Sequence, residues 1–208
     1  MRICLVSFEF LPRTGFGGAA ALYTDLANAL AKLGHEVTVL AGSSQRGLST
    51  DTLNGISVYC FGHRRLRPRP LACAERSMRV LLRFHRVLAE KGPFDVLESP
   101  ELSAETLLVN SISKKCPSAT RLVTPHYLLH RMNNKRRLRT VDWMERNNAM
   151  LSDVIIGDTR AWAESIMRDW SIDSSKLRIC PLGIDLARID DAESVRVPVE
   201  GPYVLFAG

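Results

Sequence analysis

The amino-acid sequence predicts an α/β fold with a doubly wound, mostly parallel sheet of the Rossmann-like type. Two observations indicate this class. Apolar runs of strand length alternate with segments of helical periodicity along most of the chain. A glycine-containing loop separates the first apolar run from the first helical segment, where such folds bind their ligands. With 208 residues, 46% of them hydrophobic, the chain is long enough for one α/β domain with a sizeable core.

The first predicted strand covers residues 2–8, and a loop follows it over residues 9–17. A helix is predicted over residues 18–33, because leucines and alanines recur there on one face at helical spacing. Gly34 is placed to end this helix. Residues 37–41 form a mostly apolar run, which is typical of a buried parallel strand.

The alternation continues through the rest of the chain. Further strands are predicted over residues 56–61, 94–98, 120–124, 153–156 and 176–180. Further helices are predicted over residues 72–91, 101–115, 135–151 and 161–170. The segment that follows, residues 182–202, carries prolines, glycines and charges without periodicity and is predicted to be a linker after a domain of residues 1–181. Residues 203–208 form either the first strand of a second domain or a last strand of the first sheet.

Composition and charge limit the possible functions. A net charge of +6 suits an anionic partner such as a nucleic acid, a phosphate-bearing substrate or a membrane surface. The five cysteines are scattered, which argues against a disulfide framework or a zinc site. Cys4, Cys60 and Cys180 lie in apolar runs and are predicted to be small buried hydrophobic residues. The amino terminus has too short an apolar stretch for a signal peptide, and no small-residue cleavage site follows it. A cytoplasmic protein is therefore the default expectation.

The glycine loop contains Phe16 and Gly17 and leads into Gly18, where the first predicted helix begins. Glycine lets a ligand approach the bare backbone, and the helix amino terminus favours a phosphate or a sugar hydroxyl there. The loop also satisfies the weak dinucleotide pattern G-x-G-x-x-A. Two features argue against a nicotinamide or flavin cofactor: the first glycine lies several residues beyond the strand, and residues 40–44 lack the expected acidic residue. Alternatively, the glycines serve only the loop and close helix packing.

The helix predicted over residues 72–91 carries a basic stripe. Its four arginines have spacings of 3, 4 and 3: Arg76, Arg79, Arg83 and Arg86. Such a stripe beside apolar residues would bind an anionic membrane surface. The alternative is a solvated arginine face over a packed helix. Nucleic acid is not expected as a partner, because no aromatic residues interleave with these arginines and no recognition motif is present.

Several segments, taken in order, resemble those of retaining family 4 glycosyltransferases. Residues 2–7, the pair Gly17 and Gly18, and residues 30–40 are similar to the opening of that family. The later segments that resemble family motifs are residues 94–100, 121–126, 150–156, 176–185 and 203–208. Leu182 stands where the family usually has asparagine.

The resemblance implies one half of a two-domain GT-B architecture. The first domain would bind the acceptor, and residues 203–208 would begin a second domain that binds a nucleotide sugar as co-substrate. The expected activity is retaining, hexosyltransferase-type transfer without a metal or another cofactor, onto an acceptor such as a lipid-linked or cell-envelope glycan. The family's paired-glutamate donor motif would lie beyond Gly208, so this chain by itself is expected to be inactive.

The resemblance places His126 at the reaction centre, where a neutral imidazole orients the donor over the acceptor. His126 also follows a predicted buried strand, where a parallel sheet presents residues to ligands. His130, four residues on, has no third ligand at useful spacing, so a metal site is not predicted. Glu98 is predicted to line the cleft, and Glu101 to be the first-turn charge of the next helix. The predicted substrate-binding residues are Phe16, Gly17, Gly18, Glu98, Tyr127, Thr159, Arg160 and Gly183.

Two other functions stay open at this point. One is a non-catalytic ligand-binding domain that needs a partner chain to complete its site. The less favoured one is an NAD-dependent oxidoreductase.

Overall fold

The computed structural model describes residues 1–12, 17–43, 48–62, 67–113 and 115–183, and it confirms the predicted α/β class. Its strands, β1 to β8 in chain order, are Arg2–Ser7, Glu36–Ser43, Leu48–Leu53, Ile56–Gly62, Val96–Pro100, Ser118–Leu122, Val154–Gly157 and Leu177–Ile179. Its α-helices, α1 to α5, are Gly18–Lys32, Arg69–Lys91, His126–Met132, Arg139–Leu151 and Arg160–Trp170.

The strands form one sheet in the order β3-β4-β2-β1-β5-β6-β7-β8. Neighbouring strands are parallel except β3 and β4, which are antiparallel. The strand order changes direction between β1 and β5. In doubly wound sheets the ligand cleft lies at such a switch point, outside the carboxyl ends of the strands.

Two packed faces build the core beside β1. Cys4 and Val6 point to the side covered by α2, whereas Ile3 and Leu5 point to the side covered by α1. Side chains alternate along a strand, so a strand buried on both faces needs the uninterrupted apolar run seen in the sequence. At the far side of the sheet, α5 packs closely on β7, because a Cβ on Gly157 would lie 2.4 Å from the Cβ of Ala163.

Several elements differ from the sequence predictions. Strand β3 was not predicted, because its residues are mostly polar and exposed; it forms an edge hairpin with β4 through Asn54 and Gly55, both at positive φ. The helix predicted over residues 101–115 is not continuous over residues 101–113, which include a 3-10 turn, Leu102–Ala104, and a π-helical turn, Val109–Ser113. Helix α3 is an additional element, and the polar helix predicted from residue 135 begins only at Arg139.

The cysteines follow the sequence prediction at two of three positions. Cys4 and Cys60 are buried as predicted, but the prediction for Cys180 was wrong: it is exposed, just beyond the edge strand β8. The linker beyond residue 183 and the strand predicted over residues 203–208 lie outside the described residues. Among the helices that the structure describes, none is both long and apolar enough to cross a membrane.

Candidate functional site

The candidate site lies at the carboxyl ends of β1, β5 and β6. Three glutamates of this region, Glu101, Glu105 and Glu145, are at most 3% exposed. Each carboxyl group accepts a backbone N–H from a loop that follows a strand, at Val123, Phe8 and His126 respectively. Buried polar or charged groups are costly unless they are hydrogen-bonded, and these bonds also fix the loops. The glutamates therefore position the backbone that lines the switch point.

His126 begins α3, just beyond β6, and is 3% exposed. Its imidazole Nδ1 contacts Glu145 Oε1, and its backbone N–H donates to Glu145 Oε2 at 2.9 Å. Glu145 Oε1 also accepts the backbone N–H of Ser103 at 2.8 Å. A carboxylate can only accept, so the geometry places the Nδ1 proton between the two groups and leaves Nε2 for other partners. Nε2 is buried and has no hydrogen-bond partner among the described residues.

Ser103 and Ala104, which lie beside this pair, have unusual backbone conformations. Their φ angles are 63° and 51°, in the left-handed region that non-glycine residues seldom adopt. The bond from Ser103 to Glu145 holds this turn in place. Glu145 thus connects the loop after β5 with the loop after β6.

Glu101 is completely buried, so the expectation that it is a first-turn helix charge was wrong. No side-chain capping bond is formed at the 3-10 turn, and Oε2 instead accepts the Val123 N–H at 2.7 Å. Burial raises the pKa of Glu101 to about 8, against the opposing effect of the Val123 bond. At neutral pH this carboxyl group is therefore mostly protonated. Its Oε1 has no partner among the described residues, and a protonated acid there can donate a hydrogen bond.

Glu105 connects the site to α2. It accepts the Phe8 N–H at 2.8 Å and pairs with Arg76 at 3.3 Å. The guanidinium of Arg76 lies 3.9 Å from the centre of the Phe8 ring, within cation–π distance. Arg76 is thereby bound to the loop after β1.

The predicted cleft residue Glu98 lies on β5 and accepts a hydrogen bond from Arg121 Nε at 2.8 Å. Arg121 Nη1 also reaches Asp158 and the carbonyl of Cys180, both at 3.4 Å. One buried arginine on β6 therefore joins β5 to the segments that follow β7 and β8. The hydroxyl of Tyr23 is buried without a described partner, and burial raises the pKa of Tyr23 well above its usual value.

The glycine loop is only partly described, because Phe16 lies outside the described residues. Gly17 is in extended conformation before α1, and a Cβ there would lie 3.9 Å from Glu9 Oε2. A Cβ on Gly18 would meet no atom within 4 Å. Close packing with the described residues therefore requires glycine at neither position, and none of those residues covers the backbone at Gly18.

The remaining predicted binding residues are spread around the same edge. Thr159 precedes α5, and Arg160 begins it as an exposed side chain paired with Glu164 at 3.3 Å. Gly183 is exposed. Tyr127 is 7% exposed and donates its hydroxyl hydrogen to Asp169 at 2.7 Å. Substrate contacts by these residues stay predictions.

The arginines of α2 do not form the predicted exposed stripe. Arg83 is 5% exposed, donates to the Ser49 carbonyl at 2.8 Å and lies over the Tyr59 ring. Arg76 is bound to Glu105, and Arg79 pairs with Glu75. Only Arg86 of the four is exposed, so the stripe as predicted was wrong. The long arginine side chains turn back onto β3, β4 and the site.

Sequence reasoning missed Glu105, Arg121 and Glu145. A signal existed for Glu145, which lies with Val141 and Asn148 on the buried face of α4, at spacings of four and three. A charged residue on such a face has to be paired inside the protein. Its partner could not be identified, because His126 is distant in sequence and α3 was not predicted.

The chain matches the family model described as Glycosyltransferase Family 4 over residues 16–188. A sucrose-phosphate synthase from Thermosynechococcus elongatus is similar in structure, with a TM-score of 0.70 and 15% identity over 89% of this chain and 49% of that chain. The catalytic domain of starch synthase IV from Arabidopsis thaliana, bound to ADP and acarbose, gives a TM-score of 0.63 and 12% identity, covering 89% and 52%.

An α,α-trehalose-phosphate synthase (UDP-forming) from Burkholderia vietnamiensis gives a TM-score of 0.58 and 14% identity, covering 91% of this chain and 49% of that chain. At these identities the solved structures show the shared fold alone. The chain spans about half the length of each of them. No curated protein sequence matches it significantly.

Proposed function

The chain belongs to glycosyltransferase family 4, and we propose from this membership that it is the acceptor-binding half of an enzyme that transfers a sugar from a nucleotide sugar to an acceptor. The observation that carries the proposal is His126, which the family resemblance assigns to the reaction centre. Its Nε2 is buried and unpartnered among the described residues, beside a switch point of the sheet. The family match favours this function over the oxidoreductase alternative.

The chemistry proposed for this site follows from the hydrogen-bonding groups present. With its Nδ1 proton directed at Glu145, a neutral His126 offers Nε2 as an acceptor for a sugar hydroxyl. A protonated Glu101 offers a donor. Gly17 and Gly18 leave the α1 amino terminus open to a phosphate or a hydroxyl group. Retaining, hexosyl-type transfer without a metal is part of the proposal and rests on the family resemblance.

Consumption of nucleotide sugars tests the proposal. Full-length protein, expressed from the complete reading frame, is incubated with a panel of UDP-, ADP- and GDP-sugars, and release of the nucleoside diphosphate is measured with and without acceptor candidates. We expect turnover of at least one donor by the full-length protein and none above background by residues 1–208 alone. Normal transfer by residues 1–208 would contradict the assignment of the donor site to a second domain.

A cytoplasmic, membrane-peripheral location and a lipid-linked acceptor are further parts of the proposal. What supports them is the outer face of α2, where Leu71, Met78 and Leu82 are 56%, 46% and 63% exposed. Their spacings of seven and four place them along one line of the helix, and Arg86 follows one turn later. An exposed apolar line with a cation beside it suits an anionic bilayer surface.

Vesicle flotation tests the location. Replacing Met78 and Leu82 by glutamate in the full-length protein is expected to reduce binding to phosphatidylglycerol vesicles by at least about tenfold, because the apolar contact is replaced by repulsion. Leu33→Glu is the control, since Leu33 is 73% exposed at the end of α1, outside this face. Equal binding by the double variant and the wild type would remove the membrane proposal.

A further inference from the structure

One of the basic segments of this chain lies close in sequence to the candidate reaction centre. Residues 130–139 contain five lysines and arginines and no aspartate or glutamate, whereas the net charge of the whole chain is +6. The segment comprises the end of α3, the turn after it and the start of α4. Since α3 begins at His126, the segment lies next to the candidate reaction centre in sequence, and Arg131 is on the same helix.

A cavity of about 390 Å³ opens among these cations. Its lining consists of Tyr127, Arg131, Lys135, Arg137 and Asp169. Arg131 is one helical turn beyond Tyr127 on α3. The turn that follows brings Lys135 back towards the helix, because the Lys135 N–H donates to the His130 carbonyl at 2.7 Å.

One wall of this cavity consists of hydrogen-bonded and ion-paired side chains around the buried Tyr127. Tyr127 donates its hydroxyl hydrogen to Asp169 at 2.7 Å. The guanidinium of Arg137 lies 5.1 Å from the Tyr127 ring centre and pairs with Asp142. Asp142 is fixed in turn by the indole N–H of Trp170 at 2.9 Å. The carboxylates of Asp169 and Asp142 therefore both already have hydrogen-bond partners within the protein.

The other two cations are available to a ligand. The side chains of Arg131 and Lys135 are exposed and have no hydrogen-bond or ion-pair partner among the residues that the structure describes. Cations at the end of α3 interact favourably with its dipole, but that effect is small and limited to the last turn. Five cations within ten residues repel one another. An anion in the cavity would remove this repulsion and satisfy both free donors.

We propose that this pocket binds a phosphate group, carried by the acceptor of the transfer. The binding site itself stands on the pocket, whereas its use by the acceptor rests on the proposed function. Helix α3 has seven residues, so its two ends are about 10 Å apart. A phosphorylated glycan can bridge that distance to place a hydroxyl near His126. The phosphate belongs either to a soluble sugar phosphate or to a lipid-linked acceptor, since both offer the same oxyanion to Arg131 and Lys135.

A binding experiment on the full-length protein tests this site. Arg131→Gln combined with Lys135→Gln removes two cations from the pocket. Lys91→Gln combined with Lys115→Gln is the matched control, which removes the same charge outside it. Calorimetric titrations use inorganic phosphate, a hexose 6-phosphate and the unphosphorylated hexose, without any nucleotide sugar. Binding of the same variants to a lipid source of phosphate is measured by flotation with phosphatidylglycerol vesicles and with phosphatidylcholine vesicles.

The pocket variant is expected to bind the phosphorylated probe at least about tenfold more weakly than the wild type and the control variant. Wild-type binding should also weaken as salt is added. Loss confined to the hexose phosphate indicates a soluble source, and loss confined to anionic vesicles indicates a lipid source. Equal binding of every probe by wild type, pocket variant and control would overturn the site.

The measurements of nucleotide-sugar consumption and of phosphate binding distinguish failure of the proposed transfer from failure of the proposed phosphate site. If the wild type binds phosphate through this pocket but consumes no nucleotide sugar, the proposed transfer is wrong and the phosphate site remains. If it consumes a nucleotide sugar while the pocket variant binds all phosphorylated probes normally, the phosphate site is wrong and the transfer remains.

Discussion

Replacing His126 by alanine in the full-length enzyme is expected to lower kcat for sugar transfer by about 100- to 1000-fold. Among the described residues at the switch point, the buried imidazole offers a free ring nitrogen as the acceptor for a sugar hydroxyl. Donor affinity should change much less, because the nucleotide is proposed to bind mainly to the second domain. Initial rates at saturating donor, together with donor affinity from calorimetry, separate the two effects.

The controls for His126 address folding. His85→Ala on α2 changes an exposed histidine and should leave kcat unchanged. His126→Gln keeps a polar side chain in the cavity and should unfold closer to the wild-type temperature than His126→Ala, while still losing activity. A folded His126→Ala enzyme with kcat within about threefold of wild type would rule out the proposed role, since loss of a group acting in the transition state lowers kcat.

Replacing Glu145 by alanine is expected to lower the free energy of unfolding by about 3 to 5 kcal/mol. The change leaves three buried donors without their acceptor: the backbone N–H groups of Ser103 and His126, and the His126 ring. Each unsatisfied buried donor costs about 1–3 kcal/mol. Ser103 would also lose the bond that holds its left-handed backbone. Denaturant unfolding of the chain, followed by circular dichroism, measures this loss.

Glu145→Gln separates positioning from stability. The amide keeps the volume but offers only one acceptor oxygen, so the variant should fold while the imidazole loses its fixed orientation. We expect kcat to fall by about 10- to 100-fold and the pH dependence of kcat to shift, which a merely structural residue would not cause. Glu164→Gln, in the exposed pair with Arg160, should change neither stability nor rate. A Glu145→Gln enzyme with the wild-type rate and pH profile would contradict the positioning role.

Much of the fold could be predicted because its core strands are buried on both faces. Within residues 37–41, Leu40 packs on the side of α2 and Val37, Val39 and Ala41 pack on the side of α1, and such a mostly apolar run is visible in the sequence. Strand β3 was not predicted, because an edge strand needs no apolar pattern. Helix α3 was not predicted, because its seven residues are too few to show apolar residues recurring on one face.

The site was predictable only in part. His126 could be named from its place after a strand and from the family resemblance. Its partner Glu145 and the buried state of Glu101 depend on contacts between distant segments, which local patterns do not contain. The position of the Arg83 side chain was also not predictable from local patterns. Its helical spacing predicted an exposed stripe, but its long side chain is buried against β3 and β4.

In the proposed reaction, His126 of this domain acts on the sugar being transferred. The most direct measurement is a crystal structure of the full-length protein with a non-hydrolysable nucleotide sugar. We expect His126 Nε2 at hydrogen-bond distance, about 2.7–3.2 Å, from a hydroxyl of the donor sugar, with Nδ1 still on Glu145. A donor sugar bound without a direct or single-water contact to His126 would contradict this claim.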